Sequence, residues 1–217
     1  MSLKTLVVAH SPKLLIALAK HIRHRRRAGA SRSLVCKLLK NLDPIKLELG
    51  SGSKRGVDGW TTLDRALGCD VYCDLAKGIP FPDRCVTAIY SSHVFEHLTY
   101  KEAQTLLDEC LRVLVPGGHF SICVPNARLY LNAYSNNIEI TDKRFFEYRP
   151  AYNFTTRMDY VNYVAYMDGQ HKYMFDEENL VYILRQKGFK DARLRSFDKS
   201  LDREARDHES IYAEGYK

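Results

Sequence analysis

KLELGSGSKRGVDGWTTLD, residues 46–64, is the stretch whose reading decides the fold. A short apolar run (Ile45, Leu47, Leu49) ends in Gly50-Ser51-Gly52, and a second short run ends at Asp64. That pattern predicts a buried strand, a glycine turn and a neighbouring strand tipped with a carboxylate. Gly50 and Gly52 let the backbone approach a ligand where any Cβ would collide with it. Glu48 stands just before the turn, and Asp64 is expected to reach the same crevice from the next strand. In open α/β sheets nucleotides bind in the crevice beyond the carboxyl ends of the strands. The ligand class is therefore a nucleoside with a ribose to grip.

Two phosphate-binding patterns fail. A G-x-G-x-x-G fingerprint needs glycine at Arg55, and its ribose-binding acid falls about 20 residues on rather than at Asp64. No Lys-Ser/Thr follows the glycines, so the turn is not a P-loop. What remains is E-x-G-x-G with a second acid at the next strand end. Glu48 can accept from an ammonium group or its bridging water, and Asp64 can take both ribose hydroxyls. That suits S-adenosylmethionine, a cationic nucleoside without phosphates.

At these residues the chain resembles the class I S-adenosylmethionine-dependent methyltransferases. More narrowly it resembles the type 11 group, in the subgroup associated with glycosyltransferases, whose pattern runs L-x-L-G-x-G…G-W…D. The likeness is good over residues 46–126 and looser from His171 onward. It implies an α/β fold, a doubly wound, mostly parallel seven-stranded sheet of the Rossmann-like methyltransferase kind closed by an antiparallel hairpin. The implied donor-binding residues are Glu48, Gly50, Ser51, Gly52, Asp64, Asp74, Leu75 and Ser92. Asp74 resembles the adenine corner, where a carboxylate accepts from the exocyclic amine and the Leu75 N–H donates to a ring nitrogen. The plainer reading of Asp74 is a loop cap.

A chain of 217 residues with 45% hydrophobic and 27% charged content is long enough for one domain with a sizeable core. Its net charge of +7 is uneven: residues 1–46 hold eleven of the 33 basic residues and one of the 26 acidic ones. The organisation expected is a basic helical arm over 1–44 and a methyltransferase domain over 45–217. No C-x-x-C pair occurs among Cys36, Cys69, Cys73, Cys85, Cys110 and Cys123, which reads as reduced thiols in a cytoplasmic protein. A zinc site from Cys69, Cys73 and Cys85 is the alternative. No apolar run approaches the ~18 residues of a membrane span. Leu6–Ala9 and Leu14–Ala19 are interrupted by His10–Lys13 and carry no small-residue cleavage site after them, against a signal peptide.

Residues 11–28 and 31–42 have helical spacing, with Leu14, Leu15, Leu18 and Ile22 on one face and Lys20, Arg23, Arg25, Arg26 and Arg27 on the others. The arm either caps the body or seeks an anionic surface, a peripheral membrane before nucleic acid. Asp70–Leu75 predicts a third strand, Val86–Ser92 a fourth and Phe120–Val124 a fifth. Thr99-Tyr-Lys-Glu102 is a capping box opening a helix whose buried stripe is Ala103, Leu106, Leu107, Cys110, Leu111 and Leu114. Pro116-Gly117-Gly118 is read as its stop. Asp176–Gly188 predicts a further helix, and Asp191–Phe197 with Ser210–Lys217 the closing hairpin. Residues 127–175 carry 12 of the 24 aromatics and read as an insertion supplying an acceptor pocket. Aromatic faces edged by Asn132, Asn153, Arg157 and Asp159 suit a sugar ring.

Ser91-Ser92-His93-Val-Phe-Glu96-His97 falls where the fourth strand ends. Its spacing is H-x-x-E-H, a zinc-peptidase pattern that would place His93 and His97 one turn apart on a helix. A peptidase leaves residues 46–64 unexplained. A second reading is a divalent metal that orients the acceptor, with His171 as a further ligand; similar E-x-x-E-H sites occur in some methyltransferases acting on ribose or catechol hydroxyls. A third is metal-free: one histidine is the general base toward a hydroxyl, His93 before His171, and His97 fixes the loop. Glu96 then orients a histidine. The resemblance implies a methyl transferred to an acceptor oxygen and release of S-adenosylhomocysteine. The implied acceptor is a sugar hydroxyl of a cell-surface or lipid-linked glycan, with RNA ribose or a small molecule as alternatives. A non-catalytic nucleoside-binding module is the other class, favoured by Ser53-Lys54 standing where many relatives begin a longer helix.

Overall fold

The computed structural model describes residues 12–146 and 155–217, with side chains from Arg26 onward and Phe146 excepted. Leu6–Ala9 and Asn153 therefore lie outside the described residues, as do the side chains of Leu14, Leu15, Leu18, Lys20, Ile22, Arg23 and Arg25. Five strands run parallel: β1 (Lys46–Leu49), β2 (Trp60–Asp64), β3 (Val71–Tyr72), β4 (Val86–Ser92) and β5 (Leu114–Pro125). With β6 (Lys190–Leu194) and β7 (Ser210–Tyr216) they form one sheet in the order β3-β2-β1-β4-β5-β7-β6, β7 lying antiparallel between β5 and β6.

Alternation along β1 sets the two faces of this sheet. Leu47 and Leu49 are buried, and their register partners Ile89 and Leu63 extend the same apolar layer. Against it pack the buried residues of α2 (Tyr100–Val113) and α5 (Glu177–Lys187). Both helices begin as their sequences dictate. Thr99 and Glu102 make a reciprocal capping box, and Asp176 accepts from the Asn179 N–H before Gly188 closes α5 in the left-handed region.

Glu48, Thr62, Tyr90 and Ser121 share the opposite face. No helix separates β1 from β2; residues 50–59 cross in turns alone. Asp70 organises that crossing, its carboxylate accepting from the N–H of Gly56 at 2.8 Å and from both donors of Thr62. Farther along, this face is covered by the segment between β6 and β7. Arg195 and Asp202 form a bidentate pair there, Asp202 also accepts from the Tyr90 hydroxyl, and Arg195 donates to Ser121.

Several elements differ from the sequence expectation. α1 (Pro12–Lys40) is one 29-residue helix rather than two. A single glycine, Gly29, weakens a helix without breaking it. Its second half packs on the body: Val35 joins the main core, Ser31 accepts from the Tyr72 N–H, and Arg27 stacks over the Tyr72 ring at 4.5 Å. The outer edge of β3 is thus covered. β3 stops at Tyr72, because Asp74 already leads a one-turn 3-10 helix, Leu75–Lys77. Pro116-Gly117-Gly118 does not stop α2. The chain turns extended at Leu114, and the three residues lie within β5 at a register shift between Val86 and Ala88.

A second core forms within residues 127–167. α3 (Ala127–Ser135) and α4 (Met158–Tyr166) enclose Tyr130, Ala133, Tyr160, Tyr163, Val164 and Met167. Tyr134 and Tyr166 remain exposed.

Candidate functional site

The glycine turn is built as its residue types require. Gly50 and Gly52 adopt φ of 68° and 65°. A Cβ on Gly50 would meet Val94 Cγ2 at 2.0 Å, whereas one on Gly52 would project into open space. Gly50 is thus held by protein, and Gly52 leaves room beside it. Asp64 braces the turn from β2: one carboxylate oxygen accepts from the Gly52 N–H at 2.9 Å and the other from the Ala66 N–H at 2.6 Å.

The crevice divides at this turn. On one side lies a cavity of about 420 Å³ bordered by Asp64, Asp74, Leu75, Val94 and His97. On the other is one of about 580 Å³ bordered by Glu48, Ser51, Tyr90, Ser92 and Arg203. Gly50, Gly52 and His93 line both. The eight donor-binding residues named from the sequence all border the crevice, Asp64, Asp74 and Leu75 on the first side and Glu48, Ser51 and Ser92 on the second. Asp74 makes no capping hydrogen bond through its side chain, which stands 3.6 Å from Lys77 Nζ. Glu48 holds Lys54 Nζ at 2.9 Å.

Beyond the end of β4 the chain folds sharply. His93 sits at φ 53°, and Phe95–His97 is a one-turn 3-10 helix. His93 and His97 therefore do not share a face of an α-helix, which corrects the expectation drawn from H-x-x-E-H. His171 is brought in instead, because Lys172 and Tyr173 donate their N–H groups to the Glu96 carbonyl. Atoms of Glu96, His97 and His171 lie within 4.8 Å of one another. Among the described residues, Cys69, Cys73 and Cys85 assemble no comparable group, and all six cysteines are free thiols.

His93, Glu96, His97 and His171 wall a third cavity of about 180 Å³, closed by Tyr130, Tyr163, Arg206 and Glu209. Glu96 is 2% exposed, and neither of its carboxylate oxygens has a hydrogen-bond partner. Burial raises its pKa from 4.5 to about 8. Burial likewise lowers His93 to about 3, with Arg206, His171 and His97 adding repulsion, and lowers His97 and His171. All three imidazoles are therefore neutral at pH 7. His97 is also the half-exposed member rather than a buried strut.

Sequence reasoning missed Lys54, Arg203, Arg206, Glu209, Tyr130 and Tyr163. Lys54 was legible, being six residues from Glu48. The arginines and Glu209 come from the segment before β7 and carry no local signature.

Residues 47–122 match the family model described as a methyltransferase domain. This stretch is a methyltransferase domain. It contains the glycine turn, both strand-end acids and the His93–His97 corner. Solved structures repeat the fold. Phosphoethanolamine N-methyltransferase 2 of Haemonchus contortus, crystallised with phosphomonomethylethanolamine and S-adenosylhomocysteine, is 13% identical with a TM-score of 0.50. The match covers 85% of this chain and 51% of that one, so the chain spans about half the length of the Haemonchus enzyme. An S-adenosylmethionine-dependent methyltransferase from Archaeoglobus fulgidus is 14% identical with a TM-score of 0.49, over 91% of this chain and 99% of that one. One from Methanosarcina mazei is 15% identical with a TM-score of 0.48, over 84% and 96%. No curated protein matches the sequence. Among the described residues no helix is long and apolar enough to cross a membrane.

Proposed function

We propose that the enzyme methylates a hydroxyl of a polyhydroxylated acceptor, a sugar of a glycan or its lipid-linked precursor, and that the domain extends over residues 45–217. One observation carries this reading: His93 lines all three cavities, so it stands where donor and acceptor meet. The adenosine takes the side of Asp64, Asp74 and Leu75. The methionyl group takes the side of Glu48, Ser51 and Ser92. Its ammonium faces Glu48, while Lys54 swings from Glu48 to the carboxylate, with Arg203 on the same wall.

Methyl transfer is an in-line displacement at a carbon already activated by its sulfonium, so alignment and late proton removal are the protein's tasks. His93 receives the proton. Its neutral ring is available at pH 7, and Glu96 lies 3.4 Å from its Nδ1. His97 and His171 hold the acceptor wall. Tyr130 and Tyr163 line the same cavity as Glu209 and Arg206, a mixed aromatic and polar wall of the kind that suits a sugar.

The test is His93→Gln assayed with glycan, lipid-linked glycan, RNA and amine acceptors. The proposal expects loss of at least about 100-fold in kcat with unchanged S-adenosylhomocysteine affinity. Full turnover in this variant removes His93 from the mechanism. Turnover confined to amines or to RNA replaces the acceptor class.

The arm suits peripheral contact with an anionic membrane in a cytoplasmic protein. Arg26 is exposed, while Arg27 is committed to Ala66 O and the Tyr72 ring. Liposome binding is therefore expected to fall on replacing Arg26 and to be unmoved if the arm is only a cap.

A further inference from the structure

The three histidines around Glu96 have tautomers that their hydrogen bonds decide. His97 Nδ1 lies 3.0 Å from the Gln170 carbonyl, and His171 Nδ1 lies 2.9 Å from the Val164 carbonyl. A carbonyl only accepts, so each Nδ1 carries the proton and each Nε2 is left as a bare lone pair. Ser210 settles the third ring. Its hydroxyl donates to the Arg206 carbonyl at 2.7 Å, so it accepts from His93 Nε2–H at 2.9 Å. His93 Nδ1 is then bare as well, 3.4 Å from Glu96 Oε1.

The outcome is an excess of acceptors. His97 Nε2 lies 3.8 Å from Glu96 Oε1, one ligand atom each of Glu96, His97 and His171 falls within 4.8 Å of the others, and neither carboxylate oxygen has a donor. A cation placed among these atoms would satisfy every one of them.

We propose that Glu96, His97 and His171 bind one divalent first-row transition-metal ion of the zinc type, with His93 Nδ1 against the same carboxylate. Imidazole nitrogens dominate the set, which favours such an ion over magnesium. Each histidine's second nitrogen is held by a backbone carbonyl, the outer-shell arrangement that fixes ring orientation in histidine metal sites. Metal–ligand bonds of about 2.0–2.2 Å bridge the 4.8 Å span of these atoms after small side-chain rotations. Arg206 and Glu209 line the cavity with opposite charges. The assignment stands on these side chains and is independent of the acceptor's identity.

The experiment uses the full chain stripped with a chelator and then titrated with zinc and, separately, magnesium by calorimetry. Bound metal is counted by mass spectrometry after gel filtration, and cobalt serves as a spectroscopic probe. Wild type should retain one zinc per chain and give a cobalt ligand-field spectrum. Glu96→Gln and His97→Ala should weaken zinc by at least about 100-fold while keeping the wild-type circular dichroism spectrum, which reports an intact fold. His97 is half-exposed, so its truncation keeps the test open if Glu96→Gln fails to fold. The proposal is overturned if wild type retains no zinc, if it binds magnesium alone, or if His97→Ala binds zinc as tightly as wild type. Glu96 is then a neutral acid donating to His93.

Discussion

Arg195 and Asp202 meet in a bidentate pair at 2.6 and 2.8 Å, with side chains only 9% and 1% exposed. Arg195 leads into the segment that returns to β7, and Asp202 is its far anchor, so the pair clamps that segment onto Tyr90 and Ser121. Arg203 and Arg206 follow directly and face the crevice.

Removing one partner leaves the other charge buried and uncompensated. Asp202→Ala is expected to lose about 3–5 kcal/mol of stability and to weaken S-adenosylhomocysteine binding as Arg203 and Arg206 drift. Urea unfolding and calorimetry measure the two effects. A loss below about 1 kcal/mol would mean that the pair is no clamp.

The two turn glycines should respond differently to alanine. Gly50→Ala drives a methyl into Val94 and is expected to destabilise the fold by about 2–4 kcal/mol. Gly52→Ala meets no protein atom and should cost only about 1 kcal/mol of backbone strain, yet abolish donor binding by filling the ligand's space. Thermal unfolding with and without S-adenosylhomocysteine separates them. Normal donor affinity in Gly52→Ala would displace the ligand from this turn.

Asp70 should govern the acid limb of stability. Burial pushes its carboxyl upward, but hydrogen bonds from the Thr62 and Gly56 N–H groups and the Thr62 hydroxyl outweigh it, so its pKa lies below 3.8. A depressed carboxylate contributes stability in full above its unfolded pKa and loses it as pH falls through the folded value. Wild type should therefore lose stability below about pH 3.8 faster than Asp70→Asn. The variant starts about 1–3 kcal/mol lower at neutral pH. Parallel pH–stability curves would refute this role.

Gly29 lies inside α1, and a Cβ added there meets nothing within 4 Å. Gly29→Ala should stabilise by about 0.5–1 kcal/mol, raising Tm by about 1–4 °C. No gain would indicate that α1 frays before the body unfolds.

Local signals carried as far as local forces act. Leu47 and Leu49 alternate with Glu48, and Thr99 answers Glu102 three residues on, so β1 and the start of α2 were readable. The asymmetry between Gly50 and Gly52 was not, because it depends on Val94, more than forty residues away. H-x-x-E-H shows the limit best. Spacing alone suggested a helix, but the left-handed turn at His93 and the pairing of Lys172 and Tyr173 with the Glu96 carbonyl put His171 beside His97.

By itself the sequence determined the parallel sheet, the glycine turn and its flanking carboxylates, since strand period and backbone freedom are properties of neighbouring residues. Tertiary structure alone decided that Arg206, Glu209, Tyr130 and His171 close around Glu96. Burial, and the tautomers that backbone carbonyls impose, arise only when segments distant along the chain are packed together.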